Sequence, residues 1–406
     1  MSFALNDMQF LHRAADGEGE VRVLQIISSL GMGGAETWLM SLVEDAEVDL
    51  PAIDFLITSG EPGHFDERML ANGCRIHYLK FDKRNVVGFA FGFRKILKEN
   101  HYCAIHDHQD LLAGWHFLFG LGHLPGVRAA HFHNPFYQVR ENYGVSPRRK
   151  IQLAIGRSLL GWLATDLLGT SAELLARYQV THLLAAGQVR ALSCGINLEK
   201  WQGDPAVSRE SVLDELELNQ DTRIVLFVGR LDYSLDAAHP QNHKNSVFAL
   251  QVLAELVSMR TDVVLVMVGR NDYIKKDFEE LAASMGVARN LVLTGVRDDV
   301  PRFMLAADRL LFPSRDEGLG MVAVEAQAAG LSVLASDAVP GECVVLDDKV
   351  TFLSLDKPAK EWAQQLKRLI TEAHDRSLGD EPEWQTSGFN INVSADRLNR
   401  LYRHEH

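Results

Sequence analysis

Short runs of apolar and β-branched residues alternate with longer segments of helical spacing along the whole chain. That alternation predicts α/β units built on parallel sheets. In the first half the predicted strands are VRVLQIIS, FLIT, RIHYL, CAIHDH, RAAHFHN, DLLGTS and VRALSCGI. Their apolar runs are nearly continuous, as expected of strands covered by helices on both faces. The series restarts with RIVLFVGR, VVLVMVGR, LVLTGV, RLLFPS, SVLAS and TFLSL. Between the two series, NLEKWQGDPAVSRE is polar and carries Pro and Gly, which predicts a linker near residues 197–210 joining two doubly wound domains. Length agrees, since 406 residues exceed one ordinary core and suit two domains of roughly 150–200 residues. The expected division is a leader over 1–20, a first domain over 21–200, a second over 201–375 and a C-terminal segment over 376–406. In that segment SADRLNRLYRHEH puts Leu398, Leu401 and Tyr402 on one helical face. Such a stripe must be buried somewhere, and a return onto the first domain is expected.

Composition narrows the class. A hydrophobic fraction of 47% and a charged fraction of 23% are those of a soluble globular protein. No stretch approaches the roughly 20 apolar residues of a membrane span, and LLGWLATDLLG is short and contains Asp166. The first residues, MSFALNDMQFLHRAADGEGE, include acids and lack a basic start followed by an apolar run, so a signal peptide is not expected. Cys74, Cys103, Cys194 and Cys343 form no CxxC pair, which suits a reducing cytoplasm and not a disulfide framework or zinc site. A net charge of −13 argues against a nucleic-acid partner. The charge is uneven: Arg128, Arg140, Arg148, Arg149, Lys150 and Arg157 are opposed only by Glu141. Together with IQLAIGRSLLGWL this segment suits a peripheral contact with an anionic membrane. The alternative is an ordinary helix that buries Leu153, Ile155, Leu159 and Leu160 and leaves its cations in water.

Candidate chemistry gathers in RDEGLGMVAVEAQAAG, residues 315–330. LLFPS reads as the strand before it, RDEGLG as the turn at the strand's C-terminal end and MVAVEAQAAG as a helix closed by Gly330. Ligands of open α/β sheets collect at the C-terminal ends of strands. A glycine turn feeding a helix N-terminus offers backbone N–H groups to a phosphate, here those of Leu319, Gly320, Met321 and Val322. Glu325, one to two turns into an apolar helix, is costly to bury unpaired and can reach a sugar hydroxyl beside that phosphate, while Glu317 lies in the turn itself; the alternative is that Glu325 pairs with a basic residue and Glu317 caps the helix. FVGRLD brings Gly229 and Arg230 to another strand end, and HKNSVFALQVLAEL brings Lys244 near a helix start, where the two cations suit a phosphate pair. Gly269, Gly295 and Val296 fall at further strand ends where a flat base can lie against backbone.

These segments, from FVGRL through HKN, LVMVGR and LTGVRDDVPRFMLAADRLLFPSRDEGLGMVAVEAQAAGLSVLASD, resemble the donor domain of the family 4 retaining glycosyltransferases. The resemblance runs over roughly residues 222–345 and is strongest to the branch that builds bacterial exopolysaccharides and surface glycans. It implies the GT-B fold, two Rossmann-like doubly wound domains facing each other across a cleft. It also implies that Glu325 binds the nucleotide ribose, Glu317 lies by the donor sugar, and Arg230 and Lys244 neutralise the pyrophosphate. One departure stands out: DYSLDAAHPQN separates Arg230 from Lys244 by more residues than the family usually has, which weakens the carry-over to Lys244. The first domain resembles the family more loosely. IISSLGMGGAETWLMSLVEDA places Gly33 and Gly34, followed by Glu36, where donor phosphates or acceptor would approach, and it lacks the G-x-G-x-x-G fingerprint. AHFHNPF matches the position of a family histidine; His131 and His133 share one strand face, and His133 is preferred.

The resulting expectation is a retaining, metal-independent hexosyltransferase-type enzyme. It would move a sugar from a nucleoside diphosphate sugar to a glycan or lipid-linked acceptor, in the cytoplasm or at the inner face of its membrane. The donor is a substrate and no cofactor is expected. IHDHQD offers His106, Asp107 and His108, but no regular metal-ligand spacing recurs nearby, so no metal is expected. The rival readings are a nucleotide-sugar epimerase and a non-catalytic glycan- or nucleotide-binding relative. The paired GR and KN elements favour transfer over epimerisation, and intact Glu317, Glu325 and Arg230 argue against loss of activity.

Overall fold

A computed structural model describes residues 21–136, 146–236, 239, 241–372 and 382–404. The leader 1–20, Arg140, Glu141, part of the segment after Arg230, and residues 373–381 lie outside the described residues. Two units emerge. One runs to Phe136, resumes through Ile196 and takes back the chain from Gly388, and the other is built from Asn197–Ser387.

In the first unit the strands are β1 (Arg22–Ile27), β2 (Ala52–Ile57), β3 (Ile76–Tyr78), β4 (Ala104–Asp107), β5 (Val127–Phe132), β6 (Asp166–Gly169) and β7 (Val189–Ala191). They form one parallel sheet in the order β3-β2-β1-β4-β5-β6-β7. In the second, β8 (Arg223–Val228), β9 (Val263–Val268), β10 (Leu291–Gly295), β11 (Arg309–Phe312), β12 (Val333–Ser336) and β13 (Val350–Leu353) are ordered β10-β9-β8-β11-β12-β13, again all parallel. Every strand read from the apolar runs is present. All six residues of β1 and of β9 are buried, so the continuous apolar runs reflect cover on both faces. In each sheet the strand order reverses beside the first strand, at β1/β4 and at β8/β11, and such a reversal opens a crevice at the strands' C-terminal ends.

The opposite edge of each sheet is locked by a buried aspartate. Asp54 takes a two-point contact from Arg22, at 3.0 and 2.5 Å, and accepts the Tyr102 hydroxyl and the Arg75 N–H as well. In the second unit Asp308 accepts Arg209, Arg223 and the Ile224 N–H. Both clusters satisfy a buried charge with several donors, the condition under which burial is tolerated.

The last helix, Ile391–Tyr402, belongs to the first unit. Ile196 and Asn390 form a parallel bridge that brings the chain in, and Asn390 caps the helix by accepting the Asn392 N–H at 2.9 Å. Leu398, Leu401 and Tyr402 are all buried, and Trp38 of the helix Gly34–Glu44 donates its ring N–H to Ser394. Among the described residues no helix is long and apolar enough to cross a membrane.

Candidate active site

The site in the second unit is assembled at the ends of β8 and β11, which are neighbours in the sheet. After β8 the chain passes Gly229 and Arg230, then loops back into the helix Ser246–Met259. Asp232 starts that helix: its carboxylate accepts the N–H groups of Asn245 (3.0 Å) and Val247 (3.3 Å). Asn245 takes a left-handed conformation, φ 59°, and its side chain donates to the Pro313 carbonyl just past β11. This tie carries the preceding Lys244 across to the β11 turn. Lys244 Nζ there lies 2.7 Å from Glu317 Oε1, which also accepts the Ser314 hydroxyl at 2.7 Å.

Arg230 is held differently. Its guanidinium lies over the Tyr233 ring, 4.1 Å from the centroid, a cation–π contact supplied by the long segment between Arg230 and Lys244. Asn242 folds that segment by donating to the carbonyls of Ser234 (2.7 Å) and Asp236 (2.9 Å).

Glu325 lies on the helix Met321–Ala328, half-buried, and its carboxylate has no hydrogen bond or ion pair with a described residue. Burial raises its pKa to about 7, against the pull of Lys244. The neighbouring His243 is lowered to about 4, first by burial and then by the charges of Arg230, Lys244 and Arg315, with Glu317 opposing. The crevice therefore holds positive potential and one carboxylate that the protein leaves unsatisfied.

Backbone geometry clears the space beside these groups. Gly229 N–H donates to Val268 and Gly269 N–H to Gly295, so three strand ends are stitched together. A Cβ on Gly269 would lie 2.1 Å from the Gly229 carbonyl oxygen, which only glycine avoids. Gly320 opens the helix at φ 93°, packed so closely on Val339 and Phe312 that a side chain has no room. Leu319 is buried, Met321 and Val322 are half-buried, and Val296 is exposed at the end of β10.

At the corresponding edge of the first unit, Gly33 precedes the helix that begins at Gly34, and a Cβ on Gly33 would collide with the Glu36 carboxylate. Burial raises the Glu36 pKa. Next to it stand four histidines from β4 and β5 and their ends. His106 meets His131 at 3.2 Å and His108 meets His133 at 2.8 Å, with the edge of Trp38 against three of the rings. His131 is fully buried, whereas His133 is half-buried. Asp110 accepts the His133 N–H and the Asn134 side chain, pinning the end of β5.

Residues 208–380 match the family model described as Glycosyl transferases group 1. The chain is 28% identical to EpsF of Bacillus subtilis strain 168 over 86% of its length and 87% of the relative's. It is 23% identical to CapH of Staphylococcus aureus, a capsular polysaccharide biosynthesis glycosyltransferase, over 94% of this chain and 98% of that one. Among solved structures, HepE of Anabaena in complex with UDP and glucose superposes with a TM-score of 0.69 at 16% identity, covering 93% and 98% of the two chains. The match over residues 208–380 and these relatives make the chain similar to bacterial surface-polysaccharide glycosyltransferases. Its two parallel-sheet domains are those of the GT-B fold.

Of the residues singled out in the sequence, the second unit brings Lys244 and Glu317 into direct contact and sets Glu325 within reach of the same lysine's charge. Arg230 joins them through its effect on His243, not through a shared hydrogen bond. Asp107 does not join His106 and His108: it points to the other face of β4 and pairs with the buried His116 at 2.6 Å. His131, from the neighbouring strand, brings its ring nitrogen within 4.8 Å of those of His106 and His108 instead, a grouping that linear spacing hides. The sequence reading missed Tyr233, Ser314, Gln25 and the hydroxyl of Tyr402. An aromatic shortly beyond the strand-end Arg230 was the one available signal, for Tyr233.

The histidine cluster makes the first unit acid-sensitive. Burial lowers all four pKa values, that of His133 to about 3, while an unfolded histidine titrates near 6.5. The unfolded chain therefore binds more protons in that window, and stability falls as pH drops through it. Each histidine that stays neutral contributes a slope of about 1.4 kcal/mol per pH unit. Asp110, raised to about 7 by burial, has the opposite slope and offsets one of them. Calorimetric melting of the full chain should show its transition temperature decreasing steadily from pH 6.5 to 5; a temperature unchanged over that range refutes the assignment of neutral, buried histidines.

Proposed function

We propose that this protein is a glycosyltransferase that moves a sugar from a nucleoside diphosphate sugar to a glycan or lipid-linked acceptor in surface-polysaccharide synthesis, with retention of configuration and without a metal. The observation that carries the reading is Glu325: a half-buried carboxylate without a partner among the described residues, one turn behind a glycine-initiated helix N-terminus and beside Lys244. A ribose supplies the two hydroxyl donors that such a group lacks, and the helix start receives the adjacent phosphates. The UDP and glucose held by HepE agree with this class of ligand. CapH, with its role in capsular polysaccharide, supports the pathway class.

In this mechanism Arg230, with no carboxylate attached among the described residues, meets the diphosphate first. Lys244 is then shared between the diphosphate and Glu317. Preorganised cations and backbone amides stabilise the negative charge that builds as the C1–O bond to phosphate breaks. The acceptor hydroxyl attacks C1 from the face the diphosphate leaves, and its proton passes to the departing phosphate oxygen. His133 of the first unit contacts the sugar or the acceptor.

The same reading extends to a lipid surface. The helix Pro147–Leu163 buries only Gly156 and Leu160 and leaves Ile151, Ile155 and Trp162 59%, 41% and 85% exposed. Arg148, Arg149 and Lys150 are exposed at its start. Ile155 thus faces solvent and not the core. Arg128 is excluded from this patch, because its guanidinium is bonded to the carbonyls of Leu163, Pro125 and Gly126. An exposed tryptophan with clustered cations suits an interfacial contact with anionic lipid.

Three outcomes are expected. Incubation with UDP-, GDP- and ADP-sugars should raise the melting temperature for one base, and that donor should yield a glycoside of unchanged anomeric configuration by NMR in the presence of EDTA. Activity lost with chelator and restored by Mg²⁺ or Mn²⁺ rejects the metal-free mechanism. Glu325→Ala should weaken nucleotide binding tenfold or more by calorimetry, since each hydroxyl contact to a carboxylate contributes about 1.5–3 kcal/mol. A folded variant with wild-type affinity removes the ribose assignment. On sedimentation the protein should pellet with anionic but not neutral liposomes at low salt, at about 1 kcal/mol per cation, and equal recovery from both would remove the membrane contact.

A further inference from the structure

We propose that a hydrogen-bond chain of fixed direction, closed by the Leu192 carbonyl, holds His133 as its Nε2–H tautomer. This presents the Nδ1 lone pair of His133 as an acceptor for a substrate hydroxyl, with Gln25 and Tyr402 as positioning residues. The second part rests on the reading that His133 meets substrate.

The direction follows from one end. His131 Nε2 lies 3.1 Å from the Leu192 carbonyl oxygen, which only accepts, so that nitrogen carries the proton. In a neutral ring Nδ1 of His131 is then an acceptor, and the atom facing it at 3.2 Å, His106 Nε2, must donate. His106 Nδ1 accepts in turn, from the Tyr402 hydroxyl at 2.7 Å. With its proton committed, the Tyr402 oxygen accepts from Gln25 Nε2 at 2.9 Å, which orients the amide. Gln25 Oε1 then accepts His108 Nε2–H at 2.8 Å, and His108 Nδ1 accepts His133 Nε2–H at 2.8 Å. His133 Nδ1 is the chain's open end, 3.9 Å from the Cys194 sulfur.

The alternative directions fail. A flipped Gln25 amide would force the Tyr402 proton onto Gln25 and a second proton onto His106, giving a buried imidazolium beside three other rings. Burial and the neighbouring histidines both oppose that charge. Every other ring nitrogen of the four is engaged in this chain, so the proximity of His106, His108 and His131 is accounted for without an ion. Burial keeps Cys194 a thiol, a weak donor that a sugar hydroxyl replaces with a stronger bond.

The test uses the full chain labelled with ¹⁵N-histidine, with His133 assigned from the resonance missing in His133→Gln. Long-range ¹H–¹⁵N correlation at pH 7 should show four neutral rings, with His133 pyrrole-like at Nε2 and pyridine-like at Nδ1. A His133 protonated at Nδ1, or stoichiometric zinc by elemental analysis of the same sample, overturns the chain. Tyr402→Phe frees the Gln25 amide to flip, so His133 should gain an Nδ1–H population and kcat should fall about tenfold with donor KM little changed. Unaltered tautomers in a folded Tyr402→Phe protein overturn the positioning role. A shifted tautomer with unchanged transfer leaves the chain standing and rejects contact between His133 and substrate.

Discussion

The all-parallel sheet is the constraint on which the rest depends. Parallel strands aim every C-terminal end at the same edge, and the order reversal at β1/β4 and β8/β11 parts the connections on either side. Everything with chemistry gathers at those two reversals: the lysine–glutamate contact and Glu325 in one unit, the histidine cluster in the other. Rigidity is supplied from the far edge, where Asp54 and Asp308 collect their arginines and backbone donors. Groups that hold the fold and groups left available to ligands are thereby separated by the length of a strand.

The two reversals solve different electrostatic problems. In the second unit charge is retained. Lys244 and Glu317 neutralise each other, Arg230 rests on an aromatic face, and Glu325 is held near its titration point by burial. A ligand carrying phosphate and hydroxyl groups can rearrange such a set at low cost, since the pair is only partly buried and its partners are already desolvated in part. In the first unit charge is excluded. Four imidazoles share one buried space only as neutral rings, and neutral rings hydrogen-bond with direction.

Legibility in the sequence follows the same division. Strands were readable because short, continuous apolar runs bounded by turn residues suit a strand covered on both faces, and the handover near Ile196 was readable from its polar composition. Arg230 and Glu317 stood out because each follows a strand end, Lys244 because it precedes a helix start, and Glu325 because it interrupts an apolar helix. What Lys244 touches was not readable: it was expected to serve phosphate, and without ligand it is held by Glu317. The histidine cluster was half visible, since alternation puts His131 and His133 on one face, but His106 and His108 reach them from a neighbouring strand. Tyr402 counted as one more apolar position on a helical stripe. Its hydroxyl has partners 377 and 296 residues earlier, and no local pattern encodes them.

The return of the last helix to the first unit also orders events during synthesis. Ile196 has no bridge partner, Trp38 no Ser394 and Gln25 no Tyr402 until the ribosome has made the whole second unit. At about 5–20 residues per second that is a wait of roughly 10–40 seconds. Over that interval the nascent first unit lacks its last helix and the partners it brings to the histidine cluster, so any premature stop just beyond Ser387 leaves the first unit unfinished.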